Sequence, residues 1–189
     1  MKTINKTIYI AVVAFLTLMS GCSKDKNDPK EEENTSGAAH EYNITVDGQN
    51  FSGKIDNVYG TEGENGAISA VSVFYQDDTT TQVSFSLQNN DMIAVGGFVY
   101  PNGQGDNVSL DDEGNSSIEF KPSSDIGYAS ESGTAKVIIG KKVNLGEGVP
   151  KFAALEIEFE GTFSYLDENN DRQMVSASGT FIVNLPPGY

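Results

Sequence analysis

Asp167, Asn169 and Asp171 place three oxygen-bearing side chains at alternate positions, the spacing of the first, third and fifth ligands of a calcium loop. The rest of such a loop is absent. Arg172 stands where the sharp turn needs Gly, and Ser178 where a bidentate Glu would close the shell, so the segment reads first as a polar hairpin tip and only second as a metal site. A second group of acids, Asp106, Asp111, Asp112 and Glu113, falls between Pro101 and Ser117, a stretch long enough to be a functional loop, although solvated acids are the simpler account. A glycosidase needs two carboxylates held at a set separation in a pocket that raises one pKa. Acids are plentiful here, but Glu156, Glu158 and Glu160 alternate with apolar residues and are expected to face water, and no Trp is present to stack on a sugar ring.

The single His, His40, and the single Cys, Cys22, exclude a zinc cage, a disulfide framework and a paired nucleophile and base. The net charge of −15 and a single Arg, Arg172, argue against phosphate backbones, so no nucleic-acid partner is expected. No cofactor is implied, and the expectation is a protein that is not an enzyme. His40 lies at a junction between segments and reads as a solvated hinge residue. Tyr100 with Asn102, Gly103 and Gly105, and Tyr128 within 123–132, have the composition of aromatic rims on binding loops, and ordinary turn chemistry explains them equally well.

The first segment is an address. Lys2 and Lys6 precede an uncharged apolar run from Ile8 to Met19, followed by Ser20, Gly21 and Cys22, which is the order of a secretory leader. The run is short of the roughly 20 apolar residues that span a bilayer. The placement of Cys22 after Ser20-Gly21 resembles the lipobox of bacterial lipoproteins, with Met19 where Leu is usual and Leu18 one position before it. That resemblance implies cleavage after residue 21 and diacylation of Cys22. Each buried methylene adds about 0.8 kcal/mol of membrane affinity, so two or more acyl chains would hold the protein to a bilayer. Removing residues 1–21 takes Lys2 and Lys6 and no acid, leaving ten basic against 27 acidic side chains. Acyl chains, not a basic patch, are therefore the expected membrane contact.

Residues 22–39 carry the lipidated Cys and an acidic stretch without aromatic or β-branched apolar residues; it is expected to be a disordered tether. Its opening, Cys22-Ser-Lys-Asp-Lys with Asp28 and Glu31 to Glu33 beyond, resembles the acidic export signal of Bacteroidetes-type surface lipoproteins, while a plain solvated linker has the same composition. Asp78-Thr79-Thr80 is similar to the short acceptor pattern for O-glycosylation in the same group, with Thr79 as the acceptor.

From residue 40 to 189 the pattern is that of one all-β domain. Apolar residues alternate with polar ones between Gly, Asn and Asp clusters, and no window has helical spacing. Tyr42, Ile44 and Val46 run up to Asp47-Gly48 and Phe51, which is a hairpin with a tight primed turn. Further strands are expected at Ala67–Tyr75, Gln82–Leu87, Met92–Tyr100, Ser117–Phe120 and Gly133–Ile139. Two long closing strands are joined through residues 167–172. Lys136 opposite Glu158 would relieve acidic crowding. An antiparallel β-sandwich of about 8–10 strands fits, with a partly closed β-barrel as the alternative.

The Val-Asp-Gly-x-x-Phe opening at Val46 to Phe51 and the closing Ser-Gly-Thr-Phe at Ser178 to Phe181, behind a lipoprotein leader, resemble small Bacteroidetes-type lipoproteins with a β-rich domain of unknown function. The resemblance implies the outer membrane, on its periplasmic side or at the cell surface, and carries over no active site. The expected role is a non-catalytic binding or structural module with a protein or glycan partner. The alternatives are an inhibitor or immunity-type protein that captures a basic partner, a small-ligand-binding barrel, and last a glycoside-acting enzyme.

Overall fold

The structure, a computed structural model, describes residues 38–58, 68–76, 80–101, 107–111, 115–122, 126–144 and 151–189, and for 68–75 the backbone only. All of them belong to one compact unit, Ser36–Tyr189. Cys22, Thr79 and the leader lie outside the described residues, as does nearly all of the tether.

The described residues are all-β, as the alternation predicts. Ten strands follow one another: β1 (His40–Val46), β2 (Gln49–Ile55), β3 (Ile68–Gln76), β4 (Thr81–Gln88), β5 (Met92–Tyr100), β6 (Val108–Asp111), β7 (Ser117–Pro122), β8 (Tyr128–Val143), β9 (Lys151–Leu166) and β10 (Arg172–Val183). They form a single antiparallel sheet in the order β2-β1-β10-β9-β3-β4-β5-β7-β8-β6. The long strands β8 and β9 also pair, bringing the middle of the sheet round on itself; β2 and β6 stay free, and the sheet is open rather than a closed barrel. Full closure into a barrel is thereby excluded.

The sheet turns at two short seams. β3 meets β9 only at Val73↔Phe152 and Phe74↔Lys151, and β7 meets β8 only at Glu119↔Ala129 and Phe120↔Tyr128. Folding there lays β4 and β7 over β10 and β9 and gives the two inner faces of a sandwich. Phe85 on β4 reaches Phe181 on β10 with ring centroids 5.1 Å apart, and Phe120 on β7 reaches Phe163 on β9 at 5.4 Å. Phe159 stacks on Phe181 at 5.6 Å and completes an aromatic file through the core. Each such pair adds about 0.5–1.5 kcal/mol beyond the area it buries. Phe85 lies over Gly96, its cross-strand partner, where any Cβ would collide with the ring.

The expected hairpins form. Asp47 and Gly48 have φ of 47° and 81°, the two positive values of a type I′ turn, which only Gly and small polar residues enter at low cost. β9 and β10 pair through the 167–171 tip, and Lys136 stands opposite Glu158. One strand was not expected: Val108 and Leu110 of β6 are buried within a stretch read as a loop, and Asp111 ends that strand. Four residues hold too little alternation to separate a strand from a loop.

Candidate functional site

The outward surface of β8, β9, β10, β1 and β2 follows directly from their register. Three rungs cross it: Ile138-Glu156-Ile182-Glu41-Lys54, Lys136-Glu158-Thr180-Asn43-Ser52, and Thr134-Glu160-Ser178-Thr45-Asn50. Every one of these side chains is exposed or half-buried. Period-two patterning places them, because the intervening positions form the core. Glu156, Glu158 and Glu160 stack down β9 at about 6.8 Å intervals, twice the rise of an extended residue. Glu41 pairs with Lys54 at 2.8 Å, and the Asn50 side-chain amide donates to Asn43 Oδ1 at 2.7 Å. Two open depressions interrupt the face. One, of about 450 Å³, has Gly133, Gly161 and Ala177 in its lining with Thr134, Glu160, Ser176 and Ser178; the other, of about 460 Å³, is lined by residues including Glu41, Asn43, Lys54 and Thr180. The surface is hydroxyl- and carboxylate-rich, suited to hydrogen bonding and charge pairing with a macromolecule laid across it.

A second polar cluster adjoins this face where β10 begins. At position 131 the register of β8 against β9 shifts, and Glu131, at this bulge, lies beside Ser164 and Arg172. The Ser164 hydroxyl donates to Glu131 Oε1, and the guanidinium of Arg172 pairs with the same oxygen. Burial alone would raise the Glu131 pKa, but the Ser164 and Arg172 hydrogen bonds and the Arg172 charge bring it below the usual range. Glu119, on β7 opposite Ala129, is shifted the other way, upward, by burial. Leu166 and Met174, 60% and 54% exposed, lie near Arg172 on the same strand pair.

The expected sites fare differently. Asp167, Asn169 and Asp171 do share a hairpin tip, but Asp167 uses its oxygens within the turn: Oδ1 accepts from the backbone N–H groups of Asn169 and Asp171 at 2.9 Å each, and Oδ2 from the Gln173 amide at 2.8 Å. These bonds hold the Asp167 pKa down, the Asp171 amide foremost. Asn170, with φ of 62°, completes the turn. Among the described residues no three His, Cys, Asp or Glu side chains gather as a metal set. Asp106, Asp112, Glu113, Asn102, Gly103 and Gly105 lie outside the described residues.

Tyr100 is not a loop rim: it is 3% exposed in the core, and burial raises its hydroxyl pKa to about 12. Tyr128 begins β8 half-buried, with its ring 5.3 Å from Phe120 and 5.6 Å from Tyr165.

His40 corrects the hinge expectation. It is fully buried, and its Nδ1 accepts a hydrogen bond from the backbone N–H of Asn184 at 3.0 Å. Burial lowers its pKa to about 4, against a smaller upward contribution from the neighbouring Asn57 side chain. Asn57, itself buried, donates to Ala38 O at 3.0 Å and to Leu185 O at 2.6 Å, and Asn184 donates its side-chain amide to Ala39 O at 2.7 Å. Sequence reasoning missed Asn57, Asn184, Glu131 and Ser164, since nothing in their local sequence separates them from loop and strand polar residues. Compared with known proteins, the chain matches no family model, no curated sequence and no solved structure.

Proposed function

We propose that the protein is a lipid-anchored envelope protein, held in the outer membrane by acyl chains on Cys22, whose β domain binds a macromolecular partner and does not catalyse a reaction. The outward face of β8-β9-β10-β1-β2 supports this reading: five strands present three full rungs of exposed or half-buried side chains, all polar except Ile138 and Ile182, on a surface backed by a packed aromatic core. Five strands at about 4.8 Å spacing and seven residues at about 3.3 Å rise give a platform of roughly 500 Å², the scale of a transient interface. The lipobox-like order at Ser20-Gly21-Cys22 supports the anchor.

Two measurements test it. Cells fed radiolabelled palmitate should label the wild type and not Cys22→Ala; an unlabelled wild type overturns the anchor. A partner recovered from envelope extract by the wild type should be lost from Thr180→Lys and retained by Lys121→Glu, which lies on β7 away from the platform. Retention by Thr180→Lys overturns the platform.

A second reading is favoured by the Glu156, Glu158 and Glu160 ladder. It is an inhibitor or immunity-type protein that meets a basic partner, with charge complementarity speeding encounter. That reading requires capture of a basic protein at low ionic strength and its release at high ionic strength, and Glu158→Lys should abolish capture. The interior-ligand barrel would need a closed barrel, and the open sheet gives it no support.

A further inference from the structure

We infer that the buried cluster of His40, Asn57 and Asn184 is an acid-sensitive pin at the root of the N-terminal segment: a neutral imidazole fastens residues 38–40 to the C-terminal segment, and its protonation releases them while the rest of the sheet stays paired. Three side chains bridge the junction, beside the His40↔Ile55 rung that ends the β1–β2 ladder. Nδ1 of His40 accepts the Asn184 N–H, the Asn184 side chain holds Ala39 O, and Asn57 bridges Ala38 O and Leu185 O. The bond from Asn184 requires a lone pair on Nδ1, so the ring proton of the neutral form sits on Nε2. Nε2 and Asn57 Oδ1 are both buried and neither reaches full hydrogen-bond geometry with a partner; the Asn57 side chain lies close enough to favour the protonated ring, but by less than burial disfavours it.

A proton taken up from solvent must go to Nδ1, because Nε2 already carries one. Two N–H groups then oppose each other where a donor met an acceptor, and a positive charge is left in a site without water contact. Both effects favour opening over protonation in place. The ionisable groups on the elements around the ring include Glu41 and Tyr42 on β1, Lys54 and Asp56 on and after β2, Asp91 in the β4–β5 turn, Glu156, Glu158 and Glu160 on β9 and Tyr189 in the C-terminal segment. Glu41 and Lys54 pair with each other, the β9 glutamates face outward, and none of these groups contributes to the shift at His40. Among the described residues no carboxylate is therefore in place to stabilise the imidazolium where it sits.

Opening is also local by construction. His40 opens β1, and the bonds it organises involve residues 38–40 and 184–185, beyond the last β1–β10 rung at Glu41↔Ile182. Breaking them removes no ladder bond between β1 and β10.

The test is a pH titration of the full chain by NMR, with amide exchange corrected for its intrinsic rate. A pKa of about 4 when closed and 6.5 when open makes opening at the Asn184 amide about thirtyfold more frequent at pH 5 than at pH 7.5. The Asp47 amide, bonded to Ser176 O at the far end of β1, should not follow. His40→Asn, whose side-chain oxygen can accept from Asn184 without titrating, should flatten the profile. If that variant does not fold, the imidazole nitrogen shifts of the wild type decide, with Nε2–H as the expected tautomer. An imidazole that titrates near 6.5, a rise at Asn184 below threefold, or an equal rise at Asp47 overturns the pin.

Discussion

Asn57 donates its side-chain amide to the carbonyl of Leu185 at 2.6 Å, joining positions 128 residues apart. The same group reaches Ala38 O, so one short side chain after β2 fastens both ends of the domain. Asn57→Ala leaves those carbonyls without their donor. The expected loss is about 1–3 kcal/mol of unfolding free energy, read as a lower urea midpoint at unchanged slope. Asn57→Asp, which replaces the donor by acceptors, should cost at least as much.

Stability should fall in acid, in two windows. His40 has a folded pKa below its unfolded value, so the unfolded chain binds the extra proton between them. Its stabilisation is complete above about pH 6.5 and is lost as pH falls towards 4, with about 3 kcal/mol at stake over that span. Glu131, also lowered, contributes above its ordinary value of 4.5 and is lost as pH falls further. Urea unfolding at pH 7.5, 5.5 and 4 measures the first window, and a profile flat from 7.5 to 5 would contradict the burial of His40.

Arg172 and Ser164 both serve the Glu131 carboxylate. Arg172→Ala exposes one oxygen of a group that is only 13% accessible, and Ser164→Ala removes its hydroxyl donor. Each should lower stability by about 1–2 kcal/mol at pH 7. A double-mutant cycle should give non-additive losses, because the two side chains share one oxygen.

In the core, Phe181 meets Phe85 across the sandwich and Phe159 on the neighbouring strand β9, and is fully buried. Phe181→Ala should cost about 3–5 kcal/mol. Glu158→Gln on the outward face should stay within about 0.5 kcal/mol, as exposed substitutions do. Thermal melts of the two variants separate the inner from the outer face of the same strand pair.

Gly161→Ala tests the close approach of β8 and β9. A Cβ there would collide with the carbonyl oxygen of Ser132, which belongs to backbone and cannot swing aside. A drop in melting temperature of several degrees is expected, whereas Gly97→Ala, with open space around the position, should be mild.

The amino-acid order alone determined the all-β class, the Asp47-Gly48 hairpin and the inner and outer faces of β9 and β10. Each of these depends on period two and on turn residues a few positions apart, which the chain carries locally. Tertiary structure decided the rest. Tyr100, at the end of β5, enters the core because the sheet folds over it, and His40 is buried because Asn57 and Asn184, 17 and 144 positions on, close around it. Glu131 became the partner of Arg172 through a one-residue register shift that no local pattern encodes. A polar residue's neighbours across strands are set by the return path of the chain, so its burial and charge state belong to the fold and not to the segment that contains it.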